Sequence, residues 1–330
     1  MNSLIEIVRG FADRRLVVIG DAIADQFVYG NISRVSREAP VFILRHEQTE
    51  TVPGGAANCA MNLAALGARV SLIAAVGKDE AGTELRRKLS SARVDVDGVI
   101  VSEKIQTTTK VRILGGHAHS NKQQVIRIDY DGSQAADDGL RQSIITALKN
   151  AATAADALVI SDYNYGVVDD RAVAYLRESV SKPILVDSRF RLAEFTGFTG
   201  ATPNEDEVEH LIGHPFTSVE ELEAAAKTLK ERLQHQALLV TRGARGMMLI
   251  EDNSAPVHIP AVGAQQSVDV TGAGDTVIAT FTLAVASGGS FADAARLANH
   301  AGGLVVMKRG TASVTAAELE HSILNSENAN

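Results

Sequence analysis

The pattern that most constrains this fold is an alternation of short apolar runs with longer amphipathic stretches. The apolar runs are roughly 4–7 residues long and rich in Val and Ile, which favours buried strands, and the stretches between them have helical periodicity. This alternation predicts βαβ units, and hence an α/β fold with a mostly parallel sheet between two helical layers. The predicted strands are 16–20, 70–76, 157–161, 183–187, 237–241 and 247–250, and the predicted helices are 57–66, 80–91, 139–151, 170–180, 219–233 and 273–286.

Two segments, about 27–52 and 107–129, break this alternation. The first is extended and polar, and the second alternates polar with apolar residues, which is typical of strands with one face in water. Gly115, Gly116 and the polar run to Gln124 would supply the turn. We predict a small antiparallel β lid over a site on the main sheet, although two surface hairpins without a catalytic role would show the same pattern. Unpaired edges of this lid would also allow a homodimer to form through it.

Composition and charge exclude several classes of protein. The 330 residues carry a formal charge of −8, and aromatic residues make up 4% of them with no Trp, which argues against nucleic-acid binding. No apolar run approaches the ~18–20 residues needed to cross a bilayer, and the charged N-terminus is unlike an export signal. The single cysteine, Cys59, fits a reducing compartment. We therefore expect a cytoplasmic protein that binds small molecules and neither nucleic acid nor a membrane.

The most informative motif is residues 269–276, just before a predicted helix. Gly272 and Gly274 allow close approach of the backbone, and free N–H groups at a helix start bind anions. Asp275 would stand beside such an anion, where a carboxylate can act as general base next to a transferring phosphoryl group. Plain helix capping is the alternative interpretation. The motif is neither a Rossmann fingerprint nor a Walker A loop.

These residues resemble the C-terminal signature of the ribokinase-like, or phosphofructokinase-B type, carbohydrate kinases. Four further segments agree with that family in order and spacing, namely 20–21, 53–58, 204–207 and 241–246. The resemblance implies one ribokinase-like domain over residues 1–330, a three-layer α/β sandwich with the lid segments inserted in its core. It also implies an ATP-dependent phosphotransferase with a sugar hydroxyl as acceptor.

The resemblance also implies roles for individual residues. Asp275 would be the general base, and the amides of Gly272, Ala273 and Gly274 would bind the γ-phosphoryl oxygens. Mg²⁺ would arrive with ATP and have no direct protein ligand. The residues expected on the ATP and magnesium-phosphate side are Asn204, Glu207, Thr241, Arg242, Gly243, Gly246, Asn299 and Gly303. Those expected to bind the sugar are Asp21, Gly54, Gly55, Asn58, Lys110, Arg112 and Arg127.

Some of these assignments have plain structural alternatives. Lys110, Arg112 and Arg127 would grip a phosphate already on the substrate if the lid covers it, but a solvated basic face gives the same alternation. Asn204 and Glu207 would also suit a helix-capping pair. Ordinary helix packing would explain Asn299 and Gly303 equally well. Of the carboxylates after the first strand, Asp21 is expected to meet the sugar, and Asp25 is more readily interpreted as a turn former.

A narrower resemblance concerns the substrate. Residues 29–30, 33–41, 53–62 and 123–129 resemble the kinase domain of the lipopolysaccharide heptose enzymes. Those enzymes phosphorylate O1 of D-glycero-β-D-manno-heptose 7-phosphate, which makes the 1,7-bisphosphate. Bifunctional members carry a nucleotidyltransferase domain after the kinase, and this chain ends before one, which predicts a single activity. The sequence departs from their pattern at 162–166 and 186–189.

Other readings of the same residues stay open. Another sugar or phosphosugar kinase of this family is the nearest alternative. A sugar- or nucleotide-binding protein without turnover is the alternative from a different class, because a fold and a motif do not prove catalysis. Residues 310–313 could also offer carbonyls to a potassium ion, as in some family members.

Overall fold

The computed structural model describes residues 4–117, 122–132, 138–252, 254–263 and 267–328. The strands are β1 (Arg15–Gly20), β2 (Ala22–Val35), β3 (Phe42–Gly55), β4 (Arg69–Gly77), β5 (Val94–Asp95), β6 (Val99–Ser102), β7 (Thr109–Gly116), β8 (Gln123–Tyr130), β9 (Ala157–Asp162), β10 (Ile184–Ser188), β11 (Gly200–Ala201), β12 (Ala237–Thr241), β13 (Met247–Glu251) and β14 (Val257–Ile259). The helices are α1 (Leu4–Arg9), α2 (Ala56–Ala65), α3 (Glu80–Ser91), α4 (Asp138–Ala152), α5 (Asp170–Ser179), α6 (Glu205–Ile212), α7 (Val219–Leu233), α8 (Ala273–Ala286), α9 (Phe291–Val305) and α10 (Ala316–Asn328).

Ten of the described strands form the central sheet, in the order β14-β13-β12-β11-β10-β9-β1-β4-β5, with β6 also paired to β4. Its pairs are parallel except for β12/β13 and β13/β14 at one edge. One buried cluster joins the sheet to α1, α2, α3, α8, α9 and α10, and a second joins it to α4, α5, α6 and α7. The predicted three-layer α/β sandwich is therefore confirmed.

The apolar strands owe their pattern to burial on both faces. Along β1, Leu16 and Val18 belong to the first cluster, whereas Val17 and Ile19 belong to the second. Because successive side chains point to opposite faces, a strand covered by helices on both sides must be apolar throughout. Each of the listed strands and helices predicted from the sequence begins and ends within one residue of the corresponding observed element.

A second sheet of four strands forms the lid, in the order β3-β2-β7-β8. The hairpins β2/β3 and β7/β8 are antiparallel, and the two hairpins join through a parallel β2/β7 pair. The register places Asp25 beside Lys110 and Arg112 opposite Arg127, so these side chains share one face. The turn predicted between β7 and β8 includes residues 118–121, which lie outside the described residues.

The central sheet brings several polar residues to its carboxyl edge. Asp162 ends β9, Asp187 lies near the end of β10 and Thr241 ends β12. In open α/β sheets ligands bind outside this edge. Among the described helices, none combines the length and the apolar character required to cross a bilayer.

Candidate active site

A cavity of about 580 Å³ lies between the carboxyl edge of the central sheet and the lid. Its volume is in the range of ordinary small-molecule sites. The lid contributes Asp25, Lys110 and Arg112, and the start of α8 contributes Asp275. The sheet edge, its loops and α6 supply most of the other lining residues, including Asp162, Tyr163, Asp187, Arg189, Phe190, Thr202, Asn204, Asp206, Glu207, His210 and Thr241.

Asp275 is a buried carboxylate in the first turn of α8, with only 4% of its surface exposed. One of its oxygens accepts a hydrogen bond from the Asn58 amide at 2.7 Å, and the other accepts one from the Tyr163 hydroxyl at 3.1 Å. Burial raises the pKa of Asp275 to about 7, against the opposing effect of the Asn58 and Tyr163 hydrogen bonds. A carboxyl group that titrates near neutral pH is suited to accept a proton there.

The backbone before Asp275 matches the predicted anion site in part. Gly272 adopts a left-handed conformation (φ 77°), and a Cβ there would approach the Asn58 amide nitrogen to 2.5 Å. The Ala273 N–H already donates to the Val270 carbonyl at 3.2 Å. Gly274 lies in the first turn, where N–H groups have no helical acceptor. Of the three predicted amides, those of Gly272 and Gly274 are thus better placed for an anion than that of Ala273.

Asp21 does not line this cavity. It is fully buried, and its carboxylate accepts backbone N–H groups of Tyr163 at 2.8 Å, Tyr165 at 3.1 Å and Val167 at 3.2 Å. Burial raises the pKa of Asp21 to about 6, although these hydrogen bonds oppose the rise. Asp21 therefore anchors the loop that carries Tyr163.

Asp25 is the carboxylate that the structure places in the cavity wall at this point. It forms an ion pair with Arg112, and Gly54 packs so closely on it that a Cβ at Gly54 would overlap its carboxylate. Gly55 also lines the cavity. The sequence favoured Asp21 over Asp25 for the sugar, but Asp25 is the one that lines the cavity, because pairing of β2 with β7 in the lid, which no local pattern specifies, directs Asp25 towards the site.

The three lid cations are not equivalent. Lys110 lies over the Tyr163 ring, with its ammonium 5.9 Å from the ring centre, and burial lowers the pKa of Lys110. Arg112 is held by Asp25. The guanidinium of Arg127 pairs with the carboxylate of Asp129 at 2.8 Å on the exposed β8, and Arg127 does not line the described cavity. Of the predicted basic clamp, Lys110 and Arg112 therefore reach the cavity.

Asn204 and Glu207 occupy the cavity wall and cap α6 at the same time. The Asn204 side chain accepts the Glu207 N–H at 2.8 Å, and the Glu207 carboxylate accepts the Asn204 N–H at 3.0 Å. Burial and neighbouring carboxylates raise the pKa of Glu207 and of Asp187. This concentration of carboxylates in one wall suits a divalent cation that arrives with phosphate groups, although the described residues hold no ready-made cluster of three metal ligands.

The predicted nucleotide turn follows β12. Thr241 lines the cavity, and the Arg242 guanidinium pairs with Glu205 at 2.7 Å. Gly243 and Gly246 have positive φ, and a Cβ at Gly246 would overlap the Ile259 carbonyl. The two glycines thus shape the turn beside the cavity.

Asn299 and Gly303, in α9, support a neighbouring loop. The Asn299 amide donates to the Pro260 carbonyl at 2.7 Å, and a Cβ at Gly303 would overlap the Val262 carbonyl. Neither residue lines the described cavity. The close backbone approach predicted at Gly303 is present, but it is to protein backbone.

The segment 310–313 meets the cavity through Thr311. The Ser313 carbonyl accepts a hydrogen bond from the Lys308 ammonium at 2.7 Å. That carbonyl, which was expected to be available to a potassium ion, therefore already has a cationic partner.

Sequence reasoning missed several residues in or next to this cavity, including Tyr163, Asp187 and Arg189. They lie in the two segments that depart from the heptose-kinase pattern. Asp162 is bound there by Ser188 at 2.7 Å and Arg191 at 3.3 Å. Their position directly after β9 and β10 was a usable signal, since ligands bind at the carboxyl ends of such strands.

Comparison with known proteins identifies the class to which this fold and cavity belong. The model of the pfkB family of carbohydrate kinases matches residues 13–317. The chain therefore belongs to this family of sugar kinases, which transfer a phosphoryl group to an alcohol.

Two curated relatives are called bifunctional protein HldE. The relative from Hahella chejuensis is 41% identical over 323 residues, which cover 97% of this chain. The relative from Caulobacter vibrioides is 40% identical over 323 residues, or 96% of this chain. The chain spans 65% of the length of each relative.

Solved structures agree on the fold. Ribokinase of Arabidopsis thaliana, complexed with ribose and ATP, has a TM-score of 0.74 at 21% identity and covers 94% of this chain and 98% of its own. Phosphofructokinase-2 from Escherichia coli, in complex with potassium, has a TM-score of 0.79 at 18% identity and covers 95% of this chain and 99% of its own. The ribokinase-like fold is thus confirmed.

The buried Asp275 should make the fold less stable as pH rises. Its pKa is raised from 3.8 to about 7, so the folded state binds its proton more tightly than the unfolded state does. The resulting stability is complete below about pH 4 and is lost by about pH 7, a difference of about 4 kcal/mol. Asp275→Asn cannot titrate, so its free energy of unfolding, measured in urea from pH 5 to 8, should decline less than that of the wild type. Asp13→Asn, at an exposed site, should keep the wild-type decline, and equal slopes for all three proteins would contradict the assignment.

Proposed function

We propose that this protein is an ATP-dependent kinase that phosphorylates O1 of D-glycero-β-D-manno-heptose 7-phosphate and makes the 1,7-bisphosphate for lipopolysaccharide core precursors. The observation that carries the proposal is the buried Asp275 at the start of α8, in one cavity with Asp25 and Lys110 of the lid. The heptose substrate follows from the resemblance of residues 33–41, 53–62 and 123–129 to the heptose kinases. We further propose that residues 1–330 work as one kinase domain in the cytoplasm.

Asp275 is the general base of the proposed reaction. Its carboxylate accepts the proton of the sugar hydroxyl while the hydroxyl oxygen forms a bond to the γ-phosphorus of ATP. The bond from that phosphorus to the bridging oxygen breaks, and ADP leaves with the electron pair. The N–H groups of Gly272 and Gly274 stabilise the charge on the γ-phosphoryl oxygens, and the α8 dipole adds about 0.3–2 kcal/mol.

The sugar is held mainly from the lid side. Asp25, already oriented by Arg112, accepts hydrogen bonds from sugar hydroxyls, since a carboxylate can accept two in fixed geometry. Gly54 and Gly55 let the backbone approach the ring. Asn58 orients Asp275 through its hydrogen bond and so links α2, which follows the two glycines, to the general base.

ATP binds with Mg²⁺ along the wall that carries Thr241, Asn204 and Glu207. Magnesium, when bound, would neutralise part of the negative charge of the phosphate groups. Asn204 and Glu207 would act on it through water, since their hydrogen bonds to each other already fix both side chains. Potassium is a further proposed activator, and replacing it with sodium in the assay would test that role.

The first test is ADP release from magnesium-ATP with a panel of sugars and phosphosugars that includes heptose 7-phosphate. We expect turnover on heptose 7-phosphate, and a loss of about 10²–10⁴-fold in kcat for Asp275→Asn with ATP binding retained. Turnover on a different sugar would replace the substrate assignment and keep the mechanism. Bound ATP without turnover on any sugar would favour the non-catalytic binding protein.

Lys110 should recognise the phosphate that the substrate already carries. Lys110→Met removes a cation from the cavity and should raise KM for heptose 7-phosphate about tenfold or more, with KM for ATP nearly unchanged. Arg127→Met is the matched control, because Arg127 lies on the same lid face but outside the described cavity. Equal effects of the two substitutions would contradict a phosphate-binding role specific to Lys110.

We also propose a homodimer formed through the lid. Ile126 and Ile128 alternate with Arg127 and Asp129, so they lie on the lid face opposite the cavity, and they are 51% and 39% exposed. Covering such a face would remove apolar surface from water. The double variant Ile126→Glu/Ile128→Glu should be monomeric by light scattering, whereas Leu324→Glu, on α10, should stay dimeric. A monomeric wild-type protein would contradict the proposal.

A further inference from the structure

Asn62 is a polar residue in an apolar position. It lies on α2, fully buried, next to the equally buried Ala60 and Leu63. A buried amide without partners is costly, so the partners it has are informative. The hydrogen bonds of its side chain go to Asn58 and Thr276, which flank the proposed base Asp275.

These hydrogen bonds run in one direction. The Thr276 hydroxyl donates to the side-chain oxygen of Asn62 at 3.0 Å. The Asn62 amide donates both to the side-chain oxygen of Asn58 at 3.1 Å and to the Asn58 backbone carbonyl at 3.0 Å. The Asn58 amide then donates to the Asp275 carboxylate at 2.7 Å. We call this chain of three hydrogen bonds, from Thr276 through Asn62 and Asn58 to Asp275, the relay. Because Asp275 and Thr276 are consecutive residues of α8, the relay begins and ends on the same helix.

The direction matters because a side-chain amide has one accepting end and one donating end. With its oxygen facing the Asn62 amide, Asn58 must present its NH₂ group to Asp275. A rotated Asn58 would place oxygen against the carboxylate and NH₂ against NH₂. Asn62 is oriented in the same way, since its side-chain oxygen accepts from the Thr276 hydroxyl at 3.0 Å. The other acceptor near that hydroxyl, the Gly272 carbonyl, is farther away at 3.3 Å.

We propose that Asn62 is a positioning residue of the kinase: through Asn58 it keeps a hydrogen-bond donor on Asp275, the base of the proposed function on which this inference rests. Asn62 touches neither the cavity nor the reacting atoms. Its contribution is the orientation of the carboxylate and the preference of that carboxylate for its ionised form.

The relay should be visible in the pH dependence of kcat. A hydrogen bond to the ionised form lowers a carboxyl pKa, so loss of the Asn58 donor raises the pKa of Asp275 above its present value of about 7. The other groups that act on Asp275 are Asp25 and Lys110 from the lid, Tyr163 after β9, Asp187 in β10 and Cys59 in α2. All five remain in the variants below.

The decisive experiment compares two identical substitutions on one helix. Thr276→Val removes the first donor of the relay, whereas Thr282→Val removes a hydroxyl that is equally buried but donates to the Ile278 carbonyl of its own helix at 2.7 Å. We expect Thr276→Val to lower kcat about three- to tenfold and to move the acidic limb of the kcat profile upward by up to about one pH unit. KM for ATP should stay nearly constant, Thr276→Ser should restore the wild-type profile, and Thr282→Val should keep that profile throughout.

A second variant tests Asn62 itself. In Asn62→Asp the new carboxylate cannot donate to the Asn58 oxygen but can accept from its amide, which turns the donor away from Asp275. We expect a larger upward shift of the limb than in Thr276→Val. If Asn62→Asp does not fold, the comparison of Thr276→Val with Thr282→Val still tests the proposal.

Two outcomes would overturn the inference in distinguishable ways. If Asp275→Asn is fully active, the base role and the relay both fail. If Asp275→Asn is inactive and Thr276→Val matches Thr282→Val in its pH profile and in Tm, only the relay fails and the proposed function stands.

Discussion

The rest of the site depends on keeping the Asp275 carboxylate out of water. A buried carboxylate needs donors, and here they come from two other parts of the chain, Asn58 on α2 and Tyr163 after β9. Each donor is itself held by a buried polar residue, Asn58 by Asn62 and the Tyr163 loop by Asp21. Asn58, Asn62, Asp21 and the Tyr163 hydroxyl therefore form one connected arrangement around the Asp275 carboxyl group.

Charge is divided between the two sides of the cavity. The lid brings Lys110 and Arg112 beside one carboxylate, Asp25. The opposite wall brings Asp187 and Glu207 beside one cation, Arg189, and the pKa values of these two carboxyl groups are raised by burial and by their carboxylate neighbours. A sugar phosphate and a magnesium nucleotide carry charges that suit such a division, anion towards the lid and cation towards the carboxylates. The lid also separates its own faces, with charged side chains towards the site and Ile126 and Ile128 away from it.

Local sequence patterns predicted the position of a residue correctly where that residue starts a helix or ends a strand. Asp275, with the glycines before it, starts a helix, and Thr241 ends a strand, so both reach the sheet edge as expected. They failed where long-range contacts decide the direction of a side chain. Asp21 and Asp25 both follow the first strand, yet Asp21 is used by backbone N–H groups and Asp25 faces the cavity. Arg127 shows a different limit, since it has the spacing of a lid cation but pairs with Asp129, two residues away on the same strand.

The sequence by itself determined the layers of this protein, because burial on both faces of a parallel sheet requires continuous apolar strands, and helices between them must be amphipathic. It also indicated a tight glycine turn before α8, since glycine adopts the left-handed conformation of Gly272 more readily than other residues do. Only the tertiary structure decided which polar residues share the cavity and which hold them there. Asn62 meets Thr276 across 214 positions of the chain, and such a contact depends on how α2 packs against α8, which neither segment encodes alone.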